Sequence, residues 1–183
     1  MKKILSALAM LLLALSAYAD GTILFSTAQG GIDVAPYRIP GITCGYGGRL
    51  IASVGRLVCG TDPGFGRVDC VVKTSTDNGA TWSEREIEAA VGDASLINNV
   101  KTPMAAAYGD PAIVMDRESH EVLMMAVAGC TVYGYASTNR HNPNLIAAIR
   151  SMDGGLTWQQ PIEQTETIYG LFDQTHPIDA AFV

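Results

Sequence analysis

Arginine and aspartate side chains able to bind and protonate a substrate stand close together early in the chain. Arg56 follows Arg38 by eighteen residues, and Asp62 follows Arg56 by six. A guanidinium group presents a planar pair of donors that matches a carboxylate, whereas a lysine ammonium is a point charge. An aspartic acid donates a proton near neutral pH only when its ionised form is disfavoured, for example by desolvation. From the residues alone, a surface ion pair at Arg38 and a solvated loop charge at Arg56 remain alternatives.

Three aspartates stand in residues 60–83, and their surroundings predict three different roles. Asp62 is flanked by glycines and a proline, which favour an irregular loop. Asp69 lies inside a run rich in valine and is expected to pair with a strand neighbour or a turn amide. Asp77 stands in a turn, where its carboxylate is expected to accept backbone N–H bonds.

The elements that must position these side chains are predicted to be all-β, with short strands separated by turns rich in glycine and aspartate. The predicted strands are Thr22–Phe25, Leu50–Val54, Val68–Ser75, Pro111–Met115, Glu121–Val127 and Leu145–Ser151. The predicted turns are Gly45–Gly48, Asp77–Gly79, Asp116–Ser119 and Asp153–Gly155. Helical periodicity is scarce, and Glu84–Val91 is predicted to form a short helix.

One pattern, S-x-D-x-G-x-T-W, occurs twice. The first copy consists of Ser75, Asp77, Gly79, Thr81 and Trp82, and the second of Ser151, Asp153, Gly155, Thr157 and Trp158. In such a pattern the Asp accepts backbone N–H bonds, the Gly permits positive φ, and the Trp packs against a neighbouring strand. Both copies are therefore predicted to be structural hairpin turns rather than catalytic sites.

Composition indicates a globular protein, and the N-terminal residues indicate export. The 183 residues carry a formal net charge of -6 and are 48% hydrophobic, which suffices for a core and disfavours nucleic acid as a partner. Residues 1–19 are predicted to be a signal peptide, because two lysines precede an apolar stretch that ends in small residues. The stretch is too short for a membrane span, so residues 20–183 are expected to be secreted or periplasmic, with an uncleaved anchor as the alternative. The cysteines, which are compatible with disulfides or buried thiols but lack zinc spacing, are Cys44, Cys59, Cys70 and Cys130.

The signal peptide, the sequence YRIP at Tyr37–Pro40 and the two boxes together resemble the bacterial exo-sialidases (neuraminidases). The segments RLVCGTD, VDCVVKTS and GDPAIVMDRES extend the resemblance over residues 23–183. The box alone is a weak marker, whereas the Arg-Ile-Pro motif ahead of a box is specific. The resemblance implies a six-bladed β-propeller, of which this chain would form the first blades. The boxes are 76 residues apart, more than the ~40–50 residues of one blade, so a long insertion or an extra strand pair is expected.

The resemblance also implies roles for the charged residues. Arg38 matches an arginine that clamps the substrate carboxylate together with two others. Asp62 matches a loop aspartate that serves as general acid and base, and is favoured over Asp69 for that role. Arg56 matches an arginine near the acid/base and the O4 region of the sugar, with Arg67 as its competitor.

Two further residues are implied to contact the sugar. Asp110, in the segment GDPA, matches an aspartate near the sugar O4 or its N-acetyl nitrogen, since a carboxylate accepts from a hydroxyl or an amide. A turn-fixing role before Pro111 is the alternative. Met104 would line an apolar pocket for the N-acetyl methyl group, unless it only fills the core.

The implied activity is the retaining hydrolysis of terminal sialic acids from glycoproteins, glycolipids or oligosaccharides. A tyrosine activated by a glutamate would be the nucleophile, an exception to the usual pair of carboxylates. No motif for that pair is found, and it is expected beyond residue 183, so this chain alone is expected to be marginally stable and inactive. A trans-sialidase or a non-catalytic sialoglycan-binding propeller is the alternative. Sialylated glycans are the expected partners, and no cofactor or metal is implied.

Overall fold

Two antiparallel four-stranded sheets make up most of the described structure. The computed structural model describes residues 21–26, 36–59, 66–97, 103–129 and 144–175. The strand orders are β1-β2-β3-β4 and β5-β6-β7-β8, so each sheet is a simple meander in chain order. The all-β prediction is thereby confirmed, with one helix added near the end of the described chain.

The first sheet consists of β1 (Tyr37–Cys44), β2 (Leu50–Arg56), β3 (Asp69–Ser75) and β4 (Ile87–Ala90). The second sheet consists of β5 (Tyr108–Met115), β6 (Val122–Ala128), β7 (Leu145–Ser151) and β8 (Ile162–Glu163). The helix α1 spans Thr165–Thr175, and the hydroxyl of Thr165 at its start accepts a hydrogen bond from the amide of Ile146 at 3.0 Å. Five of the six predicted strands overlap β2, β3, β5, β6 and β7, and the four predicted turns are confirmed.

Two predicted elements are wrong. Thr22–Phe25 is not a strand in the structure, and the ring of Phe25 instead lies tilted at 45° against the ring of Tyr37, at a centroid distance of 5.6 Å. Glu84–Val91 is not helical, because Ile87–Ala90 pairs with β3 as strand β4 and buries Ala89 and Ala90. Pairing satisfies the backbone of this short segment, which a helix of the same length would leave largely unbonded at its ends.

The main hydrophobic core lies between the two sheets. It contains Ile51, Cys70 and Val72 from the first sheet and Met124 and Ile149 from the second, all fully buried. The first strand of each sheet lies beside that of the other, since a β-carbon on Gly41 of β1 would touch Ile113 of β5 at 3.4 Å. The two sheets are therefore packed face to face with β1 and β5 in contact.

The second box packs against the first sheet. Gly155 has a φ of +88°, and a β-carbon there would lie 2.7 Å from Cδ1 of Ile51 in β2. The neighbouring Gly154 lies against the side chain of Arg49 in the same way. Each sheet thus carries one box at the turn after its third strand. The connections 91–107 and 129–144 lie between the two boxes, and the described residues between the boxes contain no strand besides β4, β5, β6 and β7.

Cys44 and Cys70 are free thiols, and Cys130 lies outside the described residues. Among the described residues no helix is long and apolar enough to cross a membrane. The predicted signal peptide also lies outside the described part of the chain.

The described residues with predicted chemistry lie at one end of the strands in each sheet. We call this end the rim edge, meaning the strand ends and not an outer strand; β1, β3, β5 and β7 begin there, and β2 and β6 end there. The boxes follow the ends of β3 and β7 and therefore lie at the opposite edge. The fold separates the boxes from the residues with predicted chemistry.

Candidate active site

Arg38 and Asp110 stand at equivalent irregularities of β1 and β5, at the rim edge. In β1 the register shifts between Arg38 and Gly41, and in β5 between Gly109 and Ala112. Each irregularity holds a residue of positive φ directly before a proline, Ile39 with φ 53° and Asp110 with φ 50°. Non-glycine residues adopt this conformation at a cost, and bulges of this kind re-aim side chains at functional edges.

The backbones of these two irregularities lie next to each other across Gly55. Gly55 pairs with Arg38, and a β-carbon on Gly55 would be 3.5 Å from the Arg38 carbonyl oxygen and 3.8 Å from the Asp110 amide nitrogen. Both Arg38 and Asp110 are exposed. The structure thus brings together two residues that are 72 positions apart in the sequence. A cation and a carboxylate carried by neighbouring backbone segments suit a polar substrate that has an acid group and hydrogen-bond donors.

Arg56 ends β2 at the same edge and is surrounded by three carboxylates. Its Nη2 lies 2.8 Å from Asp69 and 2.8 Å from Glu88, and its Nη1 lies 3.2 Å from Glu86. Its side chain is only 24% exposed, so it is not the solvated loop charge of the alternative interpretation. Burial opposes the charged form, but the hydrogen bonds to Asp69 and Glu88 raise the pKa of Arg56 above its ordinary value.

Asp69 is the buried centre of this charged group. Its side chain is 0% exposed, and it faces Arg56 across the β2–β3 pairing. Its Oδ1 also accepts from Nε of Arg67 and from the amide of Gly92, both at 2.9 Å. Asp69 therefore pairs with its strand neighbour Arg56, as its position in the sequence predicted, and also with the amide of Gly92 in the connection after β4. The hydrogen bond to Asp69 also raises the pKa of Arg67.

The connection from β2 to β3 leaves the sheet and returns to it along two neighbouring segments, which a backbone hydrogen bond joins. We call residues 57–59 and 66–68 the stem. The amide of Cys59 donates to the carbonyl of Arg67 at 3.1 Å, and Gly66 packs directly against Cys59. The apolar side of the stem, Leu57 and Val68, is buried against Ala106 and Ala107. Asp62 lies outside the described residues, so its predicted role is untested by the geometry.

Comparison with known proteins identifies the family. A sialidase of Micromonospora viridifaciens is 32% identical over 129 residues, covering 67% of this chain and 18% of that protein. A sialidase of Bacteroides fragilis is 25% identical over 150 residues, covering 76% of this chain and 26% of that protein. The structure of a Hadza microbial sialidase superposes with a TM-score of 0.56 at 28% identity, covering 71% of this chain and 26% of the other. The chain is homologous to the sialidases. No family model matches it.

The predicted resemblance to sialidases and the β-propeller fold are confirmed, and the two sheets are two blades of that propeller. The chain spans about a fifth to a quarter of the length of the curated sialidases that it matches. Statements about the activity of the whole protein are therefore proposals.

The described part of this sialidase homologue contains a tyrosine–glutamate pair, Tyr37 and Glu86, whose glutamate is also bound by Arg56. The hydroxyl of Tyr37 donates to Glu86 at 2.6 Å. Burial and this hydrogen bond raise the pKa of Tyr37 to about 12. Glu86 is also shared with Arg56, so its charge is already engaged in an ion pair. This pair belongs to the charged group around Arg56.

Met104 is the remaining described residue that is predicted to contact the substrate. Met104 packs, partly buried, against the main core, and its carbonyl accepts from the amide of Gly129 beyond the end of β6. It lies near the rim edge with core contacts, and a pocket-lining role remains a prediction.

Among the described residues, no His, Cys, Asp and Glu side chains are grouped so as to hold a metal ion.

Both boxes form closed turns with the same contacts. In the first box Asp77 accepts from the amide of Thr81 at 2.8 Å and from its hydroxyl at 2.6 Å, and Trp82 donates to the carbonyl of Gly79. The second box repeats each contact with Asp153, Thr157, Trp158 and Gly155. The hydrogen bonds of Thr81 and Ser75 lower the pKa of Asp77 to about 2. The polar side-chain groups of Asp77, Thr81 and Trp82 are all hydrogen-bonded within the turn, which matches a structural role.

Sequence reasoning missed Glu86, Glu88 and the amide of Gly92 as partners of the site residues. Glu86 and Glu88 were placed in a predicted helix, where their alignment with Arg56 could not be seen. The available signal was the three glutamates Glu84, Glu86 and Glu88 at alternate positions after the first box, which is the period of a strand.

Proposed function

We propose that this chain is part of an exo-α-sialidase that hydrolyses terminal sialic acids by a retaining mechanism. The observation that carries the proposal is the placement of Arg38, Asp110 and Arg56 at one rim edge, in a chain homologous to sialidases. Arg38 would clamp the substrate carboxylate through its planar donors. Asp110 would accept from a sugar hydroxyl or the N-acetyl N–H, and Met104 would line the pocket of the acetyl methyl.

Asp62 would protonate the departing oxygen and later activate water. It stands in the connection that begins next to Arg56 and returns at Asp69, and both described ends of this connection lie at the rim edge. A general acid at that edge would be adjacent to a substrate held by Arg38. Desolvation on substrate binding would keep its proton in place. The nucleophilic tyrosine–glutamate pair would come from residues other than Tyr37 and Glu86. The predicted signal peptide supports a secreted or periplasmic location.

The test uses the full-length protein, expressed from its complete reading frame, on sialyllactose. Asp62→Asn should lower kcat by about 10²–10⁴-fold, because general acid catalysis is lost. Arg38→Lys should raise KM about tenfold or more, because the bidentate contact to the carboxylate is lost. Asp116→Asn and Arg117→Lys, in the turn between β5 and β6 at the opposite edge, are the matched controls and should leave both constants unchanged.

A wild-type protein that releases no sialic acid would contradict the proposal, as would an Asp62→Asn variant of normal activity. Addition of lactose as an acceptor separates the two enzymatic alternatives. Free sialic acid as the main product supports hydrolysis, whereas a sialylated acceptor indicates a trans-sialidase. Binding of sialyllactose without turnover indicates the non-catalytic propeller.

A further inference from the structure

Asp69 has more partners than a strand residue needs. Its carboxylate accepts from Arg56 at 2.8 Å, from Nη2 of Arg67 at 3.0 Å and from the amide of Gly92 at 2.9 Å. These three partners belong to the end of β2, the returning half of the stem and the chain after β4. A single buried carboxylate thus joins three separate segments at the rim edge.

Burial of this charge requires compensation that the two guanidinium groups provide. An isolated ionised carboxylate with no exposed surface is strongly unfavourable, whereas one that is fully hydrogen-bonded to cations is tolerated. Replacing a buried ion pair with apolar residues is often neutral or stabilising, so stability alone does not account for such a group. Its geometric effect is specific, because Arg67 uses both Nε and Nη2 and is held in one orientation.

The stem depends on Asp69 for its position relative to Arg56. The two halves of the stem are joined by the hydrogen bond from Cys59 to Arg67, and Arg67 is in turn held by Asp69. On its other side the stem is fixed by the hydrogen bond from the Tyr108 amide to the carbonyl of Val68. Gly92 closes the arrangement, since a β-carbon there would collide with the carbonyl oxygens of Ala106 and Val68 at 2.6 and 2.9 Å.

We propose that Asp69 is a positioning residue, which fixes Arg56 and both halves of the stem, the described residues on either side of the segment that carries the proposed general acid. The inference rests on the proposed function, because the stem matters to catalysis only if Asp62 donates the proton. Asp69 itself contacts no substrate. Arg56 keeps Glu86 and Glu88 when Asp69 is neutral, whereas Arg67 loses the acceptor that orients it.

The distinguishing measurement is the dependence of the rate on the leaving group. Asp69→Asn in the full-length protein should lower kcat/KM on sialyllactose, whose alkoxide leaving group needs a proton, by about 10–100-fold. The same variant should lose less than about threefold on an aryl sialoside with an acidic phenol, which departs without protonation. Asp62→Asn should show the same selectivity with a larger amplitude. Asp116→Asn, another aspartate with several local hydrogen bonds, controls for the substitution itself.

If Asp69 had a purely structural role, the variant would contain less folded protein, and the rates on sialyllactose and on the aryl sialoside would fall by the same factor. Such a result overturns the proposal. If Asp69→Asn does not fold, Arg67→Gln removes the ion pair between Arg67 and Asp69 by changing its partly exposed member. This variant should show the same larger loss on sialyllactose than on the aryl sialoside. Hydrogen exchange gives a readout without substrate, in which the amide of Cys59 should exchange at least about tenfold faster in the variant. Unchanged exchange at the stem overturns the proposal even if activity falls. A wild type that cleaves neither sialoside contradicts the proposed function instead.

Discussion

The contact between the second box and β2 predicts unequal costs for the same substitution in the two boxes. Gly79 and Gly155 occupy equivalent positions with φ of +85° and +88°. Changing either to Ala introduces the same left-handed strain, about 1–2 kcal/mol. The nearest atom to a β-carbon at Gly79 is Cδ1 of the partly exposed Leu50, at 3.2 Å, which can move. At Gly155 it is Cδ1 of the fully buried Ile51, at 2.7 Å.

Overpacking a buried site costs about 1–3 kcal/mol beyond the backbone strain. Gly155→Ala should therefore lower the free energy of unfolding by about 2–5 kcal/mol in total, against about 1–2 kcal/mol for Gly79→Ala. Ile51→Val removes the clashing Cδ1 and by itself costs about 0.5–1.5 kcal/mol. In the double variant Ile51→Val/Gly155→Ala the loss should be smaller than the sum by about 1–2 kcal/mol.

Urea unfolding of the purified full-length protein, followed by far-ultraviolet circular dichroism, measures these free energies. The dependence of the unfolding free energy on urea should be unchanged among the variants, so that the midpoints are comparable. Equal losses for Gly79→Ala and Gly155→Ala would show that only the backbone conformation matters. Additive losses in the double variant would show that Ile51 does not contact the box, and would refute the packing of the two blades described above.

The boxes allow two further predictions. Ser151→Ala removes the acceptor of the buried Gly155 amide, at 2.8 Å, and should lower the free energy of unfolding by about 1–3 kcal/mol in the same urea assay; a loss below the error would contradict the hydrogen bond. The pKa of Asp77 is about 2 in the folded protein, against an ordinary value of 3.8. Because this folded-state pKa is depressed, the stabilisation by Asp77 is complete above about pH 4 and is lost as the pH falls towards 2. In Asp77→Asn the melting temperature should fall less between about pH 4 and pH 2 than in the wild type. An equal fall in both proteins would contradict the stabilisation by the Asp77 carboxylate.

Much of the fold follows from local sequence signals, and the exceptions have identifiable causes. β2, β3, β6 and β7 consist of apolar or β-branched runs between turn residues, which are the signals that predict strands. β1 was not predicted because Pro40 stands inside it, where the bulge accommodates a residue without an N–H. β4 and β8 are short and gain their stability from pairing with β3 and β7, which no local signal reveals.

The site was predictable only in part. Motifs pointed to Arg38, Arg56 and Asp110, but they could not show that the first and last are neighbours across Gly55. The partners of Arg56 at Glu86 and Glu88 are 30 and 32 positions away and depend on the register of β3 with β4. Register is fixed by which side chains become buried across a whole sheet, and not by the residues near one charge.

The matching bulges of β1 and β5 have a consequence for how such a protein diversifies. Tyr37 and Tyr108 begin the two strands, and Pro40 and Pro111 follow the left-handed residue in each. The two strands therefore share one backbone conformation while their side chains differ, with Arg38 in β1 at the position equivalent to Gly109 in β5. A bulge that recurs in this way provides equivalent positions that can carry different groups without any change in the path of the chain.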